Sequence, residues 1–236
     1  MKSVNPEEIN FDRLIDPIIA DFEPVTPLWP VTTRLSLWLL LQFGILGLFV
    51  AAGTHAHSPL FRAMPNLAWK LENWQFLAGV AGLAVVGIMA ASSAFKTAIP
   101  GEGEISAGKL IMLLVLACSA FALMVHEPAH PLASMHQFVT TGTRCAICVV
   151  MIAAIPWLGL FWASRRAMPL MGATEGGLIG IATFAFSFAA TRMGCPIDDF
   201  AHVVIWHALP AAIGAGLSVV AGVIWLRGFT PNRDPN

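Results

Sequence analysis

The chain has 236 residues, 57% of them hydrophobic and 11% charged, and a formal net charge of −1 at pH 7. A water-soluble domain carries about a quarter charged residues, so this composition, with a mean hydropathy of +0.73, excludes an ordinary soluble domain and points into a membrane. The near-zero net charge gives no electrostatic footprint for direct nucleic-acid binding, and four cysteines in such a chain do not make a disulfide scaffold.

The first apolar run begins only at Leu35, after a segment rich in Asp, Glu and Pro. It therefore reads as a span and not as a cleavable signal. Within residues 1–34, Asn5-Pro6-Glu7-Glu8 has the form of a helix start. Phe11, Leu14, Ile15, Ile18 and Phe22 then recur at helical spacing and make one apolar stripe. Pro17 kinks or restarts this helix, with Asp16 as a second cap, and Pro24, Pro27 and Pro30 close it in an extended linker. So short an arm cannot bury a core alone, and its stripe requires a partner. Its many acids disfavour an anionic lipid surface, which leaves a groove on another protein.

Six apolar runs follow, at about 35–54, 75–94, 108–126, 145–163, 171–190 and 201–226. Each approaches or reaches the ~20 residues that cross a bilayer as a helix. The expected fold is an all-α integral membrane protein: a six-helix bundle over 35–226, a short N-terminal helical arm (1–34) and a tail (227–236). Pro156 and Pro210 should kink the fourth and sixth spans. Gly176 and Gly180 form a small-xxx-small face suited to close packing. No internal repeat supports an inverted-repeat transporter.

Basic residues set the expected orientation. With six spans, one side carries Lys2, Arg13, Arg34, Lys96, Lys109, Arg165, Arg166, Arg227 and Arg233, and the other only Arg62, Lys70, Arg144 and Arg192. Both termini are therefore expected in the cytoplasm. Trp29, Trp38, Trp69, Trp74, Trp162 and Trp225 fall near run ends, where interfacial anchors belong. All seven histidines lie on or near the outer side, and Cys145 and Cys195 fall at the same level. Histidine avoids the bilayer centre, which accounts for loops but not for one side. A ligand-rich outer face and a partner-seeking inner arm make the layout of a sensor.

The densest stretch is Thr191–His207. Pro196 suits a first helical position, which would make Cys195 the N-cap, where the dipole favours a thiolate. Asp198 and Asp199 then fall in the first turn, with His202 one step above both. Such a group can bind a soft or borderline metal or tune a thiol; equally, the acids can merely complement the helix dipole. The loop Val125–His136 offers His126, His130 and His136, with Glu127 and Met135, a set that leans towards copper(I) or is simply solvated. Cys145 and Cys148 form a CxxC, open to redox chemistry, half a metal site or plain packing. Cys118 reads as core, and Glu175 as a structural partner of Arg165 or Arg166.

Three segments together resemble the NrsF-type negative regulators of extracytoplasmic-function (ECF) sigma factors, six-span inner-membrane proteins of Gram-negative bacteria. They are LIDPIIADFEPVTPLWPVTTRLSLWL, TRCAICVVMIAAIPWLGLFWASRRAMP, and GLIGIATFAFSFAATRMGCPIDDFAHVVIWHALPAAIGAGL. The most specific element is the GCPIDDF block paired with a cysteine opening the fourth span. The resemblance implies that Cys145 and Cys195 answer the signal and that residues 1–34 hold an ECF sigma factor. It also links the chain to heavy-metal or oxidative signals. The chain departs from the pattern in its many outer histidines and in Cys148. Its expected function is thus a non-enzymatic inner-membrane anti-sigma factor with no obligatory cofactor. A copper, zinc or cadmium ion is then a signal held by Cys145, Cys195, Asp198, Asp199, His202, His126, His130 and His136. The alternatives are a membrane thiol oxidoreductase of the DsbB or VKOR kind, one exposed thiol short, and a metal permease, for which no midplane charge marks a pathway. Oligomeric state is not legible.

Overall fold

The bundle is organised around one enclosed helix, Gly172–Gly194, whose glycine and alanine positions admit neighbours on several sides. A computed structural model describes residues 27–55, 67–99, 105–125, 134–167, 171–195 and 197–226. The arm positions Phe11, Leu14, Ile15, Ile18 and Phe22, with His126 and His130, lie outside the described residues. Among the described residues every regular element is helical: α1 Val31–His55, α2 Leu67–Glu72, α3 Trp74–Thr97, α4 Ala107–Met124, α5 Met135–Arg165, α6 Gly172–Gly194, α7 Phe200–Val203 and α8 Leu209–Trp225. A π turn, Val204–Ala208, joins α7 to α8. Six helical stretches are long and apolar enough to cross a membrane, the last running through the π turn from Phe200 to Trp225.

Local chemistry sets the helix starts. Asn73 accepts from the Gln75 and Phe76 amides, Ser106 from Lys109, and Ser134 from Gln137, each filling donors that a helix N-terminus leaves open. The Ser134 cap starts α5 well before the expected 145, so Cys145 sits about three turns inside the helix rather than opening it. Pro156 lies inside α5 without ending it.

Helix α6 packs on α8, α3 and α5, while α1 lies against α5 and α4 against α3. Contact with α8 is backbone to backbone. A Cβ on Gly176 would meet the Ser218 carbonyl oxygen at 2.3 Å, and one on Gly180 the Ala215 Cα at 2.8 Å. The expected small face is thus the α6–α8 seam. Val86, Ala90, Leu160, Ile179 and Phe186 fill the centre of the bundle. Leu114, Val115, Ile213, Leu217 and Ile224 point outward, an apolar perimeter that suits lipid and not water.

Three expectations change here. Trp38 is not an interfacial anchor: it is buried and donates from Nε1 to the Pro156 carbonyl at 3.0 Å. Cys118 is exposed on the perimeter instead of in the core. Buried Glu175 accepts from the Thr97 hydroxyl at 2.6 Å and the Ser164 hydroxyl at 2.7 Å, not from Arg165 or Arg166. Arg166 instead stacks over Trp162. At that same end, Arg34 at the start of α1 donates to the Phe95 carbonyl at 3.3 Å.

Candidate functional site: a thiol–imidazole cluster

At the opposite end of the bundle, α6 stops at Gly194 and Cys195 is its C-terminal flank, not the N-cap of the next helix. The next helix is capped by Asp199, which accepts from the His202 amide at 2.9 Å. A short carboxylate reaches those amides better than a cysteine sulfur, so the cap forms four residues later than expected.

Two buried cations hold the connecting segment. Arg192 donates to the Ile197 carbonyl at 3.0 Å, to the Met124 carbonyl at 3.1 Å and to Asp198 Oδ1 at 2.7 Å. Lys70, on α2, donates to the carbonyls of Arg192 and Cys195 and lies 3.6 Å from Asp198. Burial, then the Arg192 charge, lowers the Lys70 pKa, while the Asp198 carboxylate works against both. Two of the four expected outer-side cations are therefore structural parts of this site.

Above this clamp, four side chains converge. The Cys195 sulfur lies 3.7 Å from Cys145 Sγ and 3.5 Å from His202 Nε2. His207 completes the group, and the four ligand atoms lie within 4.8 Å of one another. Cys145 is half-buried and the other three are buried. The hydrogen bond from Cys145, joined by one from His202, holds the Cys195 thiol well below its ordinary pKa against the opposing effect of burial. Phe138 packs edge-on to His202 and Phe188 to His207, walling the imidazoles with apolar rings. Gly142 lets α5 approach the Trp206 ring, where a Cβ would collide at 2.3 Å.

Of the residues singled out from the sequence, the structure brings Cys145, Cys195 and His202 together. Asp198 and Asp199 stand apart from that group, one engaged by Lys70 and Arg192, the other by the helix cap. His136 is exposed on the first turn of α5. Cys148 is buried about a turn deeper than Cys145. His207, counted among the outer histidines, is absent from the expected ligand set for a geometric reason. In a regular α-helix, positions five apart point ~140° away from each other. The π turn closes i→i+5, with the Leu209 amide donating to the Val204 carbonyl, and brings His202 and His207 to a ring separation of 5.4 Å. The readable cue was Pro210, which cannot donate to Trp206 and so disfavours a regular α turn at that point.

Chemically, the cluster can bind a cation or, when an external oxidant takes two electrons and the two thiol protons leave, become a disulfide. The latter requires the sulfurs to close from 3.7 Å to about 2.05 Å. No curated protein and no solved structure matches the chain significantly. A family model described as a negative regulator of sigma F matches residues 19–227, nearly the whole chain. The chain therefore belongs to the NrsF family of negative regulators of sigma F.

Proposed function

We propose that this protein is an inner-membrane anti-sigma factor that holds an ECF sigma factor on its cytosolic arm and releases it when the Cys145–Cys195 pair is modified from the periplasmic side. The family supplies the class of regulator and its sigma-factor partner. The observation that carries the sensing role is the pair itself. Two cysteines 50 residues apart in sequence meet at 3.7 Å at one end of the bundle.

Soft metals and oxidants share one target, the thiolate. Cys195 is the cysteine held towards that form. A signal shifts the equilibrium only through different affinities for the holding and releasing states. Helices α5 and α6 carry the pair at one end and the Ser164–Glu175 contact at the other. A displacement at the cysteines thus has a rigid route to the end where α1, and with it the arm, begins. The stripe Phe11, Leu14, Ile15, Ile18 and Phe22 is the face offered to the sigma factor. The protein acts without catalysis and without touching nucleic acid. A thiol oxidoreductase would need a second exposed cysteine pair, and Cys118 and Cys148 sit on different helices, one exposed on the perimeter and one buried.

A reporter of the sigma factor's regulon tests this in cells. Deleting residues 1–34 switches the regulon on without a signal, whereas Cys145→Ser and Cys195→Ser leave it silent under cadmium, copper or peroxide. A deletion that changes nothing refutes the arm's role, and serine variants that still respond refute that of the pair.

A further inference from the structure

We propose that Cys145, Cys195, His202 and His207 form a single buried site for a four-coordinate d10 cation, a zinc-group ion or Cu(I), bound through two sulfurs and two nitrogens. The inference deepens the sensing role proposed above and rests on it for its biological use; the binding itself does not.

Spacing is the first argument. Tetrahedral bonds of ~2.3 Å to sulfur and ~2.0 Å to nitrogen set neighbouring ligand atoms about 3.8 Å (S···S) and about 3.5 Å (S···N) apart. The cluster shows 3.7 Å between its sulfurs and 3.5 Å between Cys195 Sγ and His202 Nε2. All four atoms fall within 4.8 Å, so His207 has little distance to close. The same spacings serve thiol hydrogen bonds in the metal-free protein, so the discriminating feature is that two sulfurs and two imidazoles share one such volume.

His207 supplies an independent observation. It is fully buried, and neither ring nitrogen has a partner at full hydrogen-bond distance among the described residues; the Cys195 sulfur is its weak polar neighbour. A buried polar group so poorly paired is costly, and a metal bond at this imidazole removes that cost. The π turn that carries His207 is a rare form, found frequently at functional sites.

Charge and access agree. Two thiolates and two neutral imidazoles neutralise a divalent ion and leave one negative charge with Cu(I). Lys70 and Arg192, set against Asp198, contribute one net positive charge beside the site. Binding releases the thiol protons to water. Half-buried Cys145 gives the approach, while the aromatic walls exclude bulk water. Two thiolates and two imidazoles do not suit hard magnesium or calcium.

The test uses the full-length protein, purified in detergent under reducing conditions and free of sigma factor. It is titrated separately with Cd(II), Zn(II) and Cu(I), with Mg(II) as the control. The expected result is one equivalent of at least one d10 ion, with thiolate-to-metal charge-transfer absorption for Cd(II) or Cu(I). X-ray absorption at the metal edge should then count two sulfur and two nitrogen neighbours. His207→Gln should weaken binding about 10-fold or more, a loss seen even for outer-shell partners, whereas His136→Gln should leave it unchanged. His207→Cys, which keeps a ligand atom there, should retain binding and so separate ligation from misfolding. No binding, a shell without nitrogen, or affinity indifferent to His207→Gln overturns the site. A parallel arm exposes the complex with sigma factor to each ion and to a thiol oxidant: no metal binding with release on oxidation overturns the site and keeps the thiol sensor. A bound ion that leaves the sigma factor in place keeps the site and removes its sensing role.

Discussion

Asp198 and Asp199 are neighbours in sequence with separate tasks. Asp198 is the anion between Lys70 and Arg192, both buried, and Asp199 caps α7. Asp198→Asn leaves two buried cations facing each other without a counter-charge, so stability should fall by about 3 kcal/mol. Asp199→Ala removes one cap and should cost about 1 kcal/mol. Denaturation in detergent followed by tryptophan fluorescence ranks the two, and equal losses would contradict these assignments. Cys195 gives a pH-dependent counterpart. Its folded pKa lies below the ordinary 9.0 because it accepts from Cys145 first and His202 second. Between the two values the unfolded chain binds more protons, so stability rises with pH there and is lost as the pH falls through the lowered value. Cys145→Ala removes the leading hydrogen bond. The thiolate titration, followed by ultraviolet absorbance, should then move to higher pH; an unmoved midpoint would refute the pairing.

At the scale of elements, two features decide how the site is held: the glycine seam and the π turn. Gly176→Leu puts a side chain where the Ser218 carbonyl stands 2.3 Å from the ideal Cβ, so α6 and α8 must separate. A loss of several kcal/mol, about 3 or more, is expected, read as a lowered melting temperature. An unchanged melt would mean that the seam is not tight. The spans and this seam were legible beforehand because length, hydropathy and small-residue spacing act within a single helix. The ends of elements were less so. Ser134 started α5 early, and Asp199 took the cap that Cys195 was expected to fill. Among site residues, Cys145 and Cys195 were marked by the family resemblance and His202 by local spacing. His207 was hidden because only the π turn brings it to His202. Lys70 and Arg192 read only as outer-side basic residues, since nothing local says that a charge will be buried against a carboxylate from another element.

Across the whole molecule, the thiol–imidazole cluster and the Glu175 contacts occupy opposite ends of the same central helices. The cluster closes the end formed by α2, α5, the exit from α6 and the entry to the last span. Glu175 ties α6 to the ends of α3 and α5, beside the start of α1. This arrangement suits a signal received at one face and read at the other. The most direct test is release of the sigma factor from the solubilised complex. Wild-type protein and the Cys145→Ser/Cys195→Ser double variant are each immobilised with the sigma factor bound, then exposed to cadmium or to a thiol oxidant. The account predicts that wild type sheds the sigma factor and the double variant retains it. Equal release from both, or a sigma factor that never binds wild type, would contradict it.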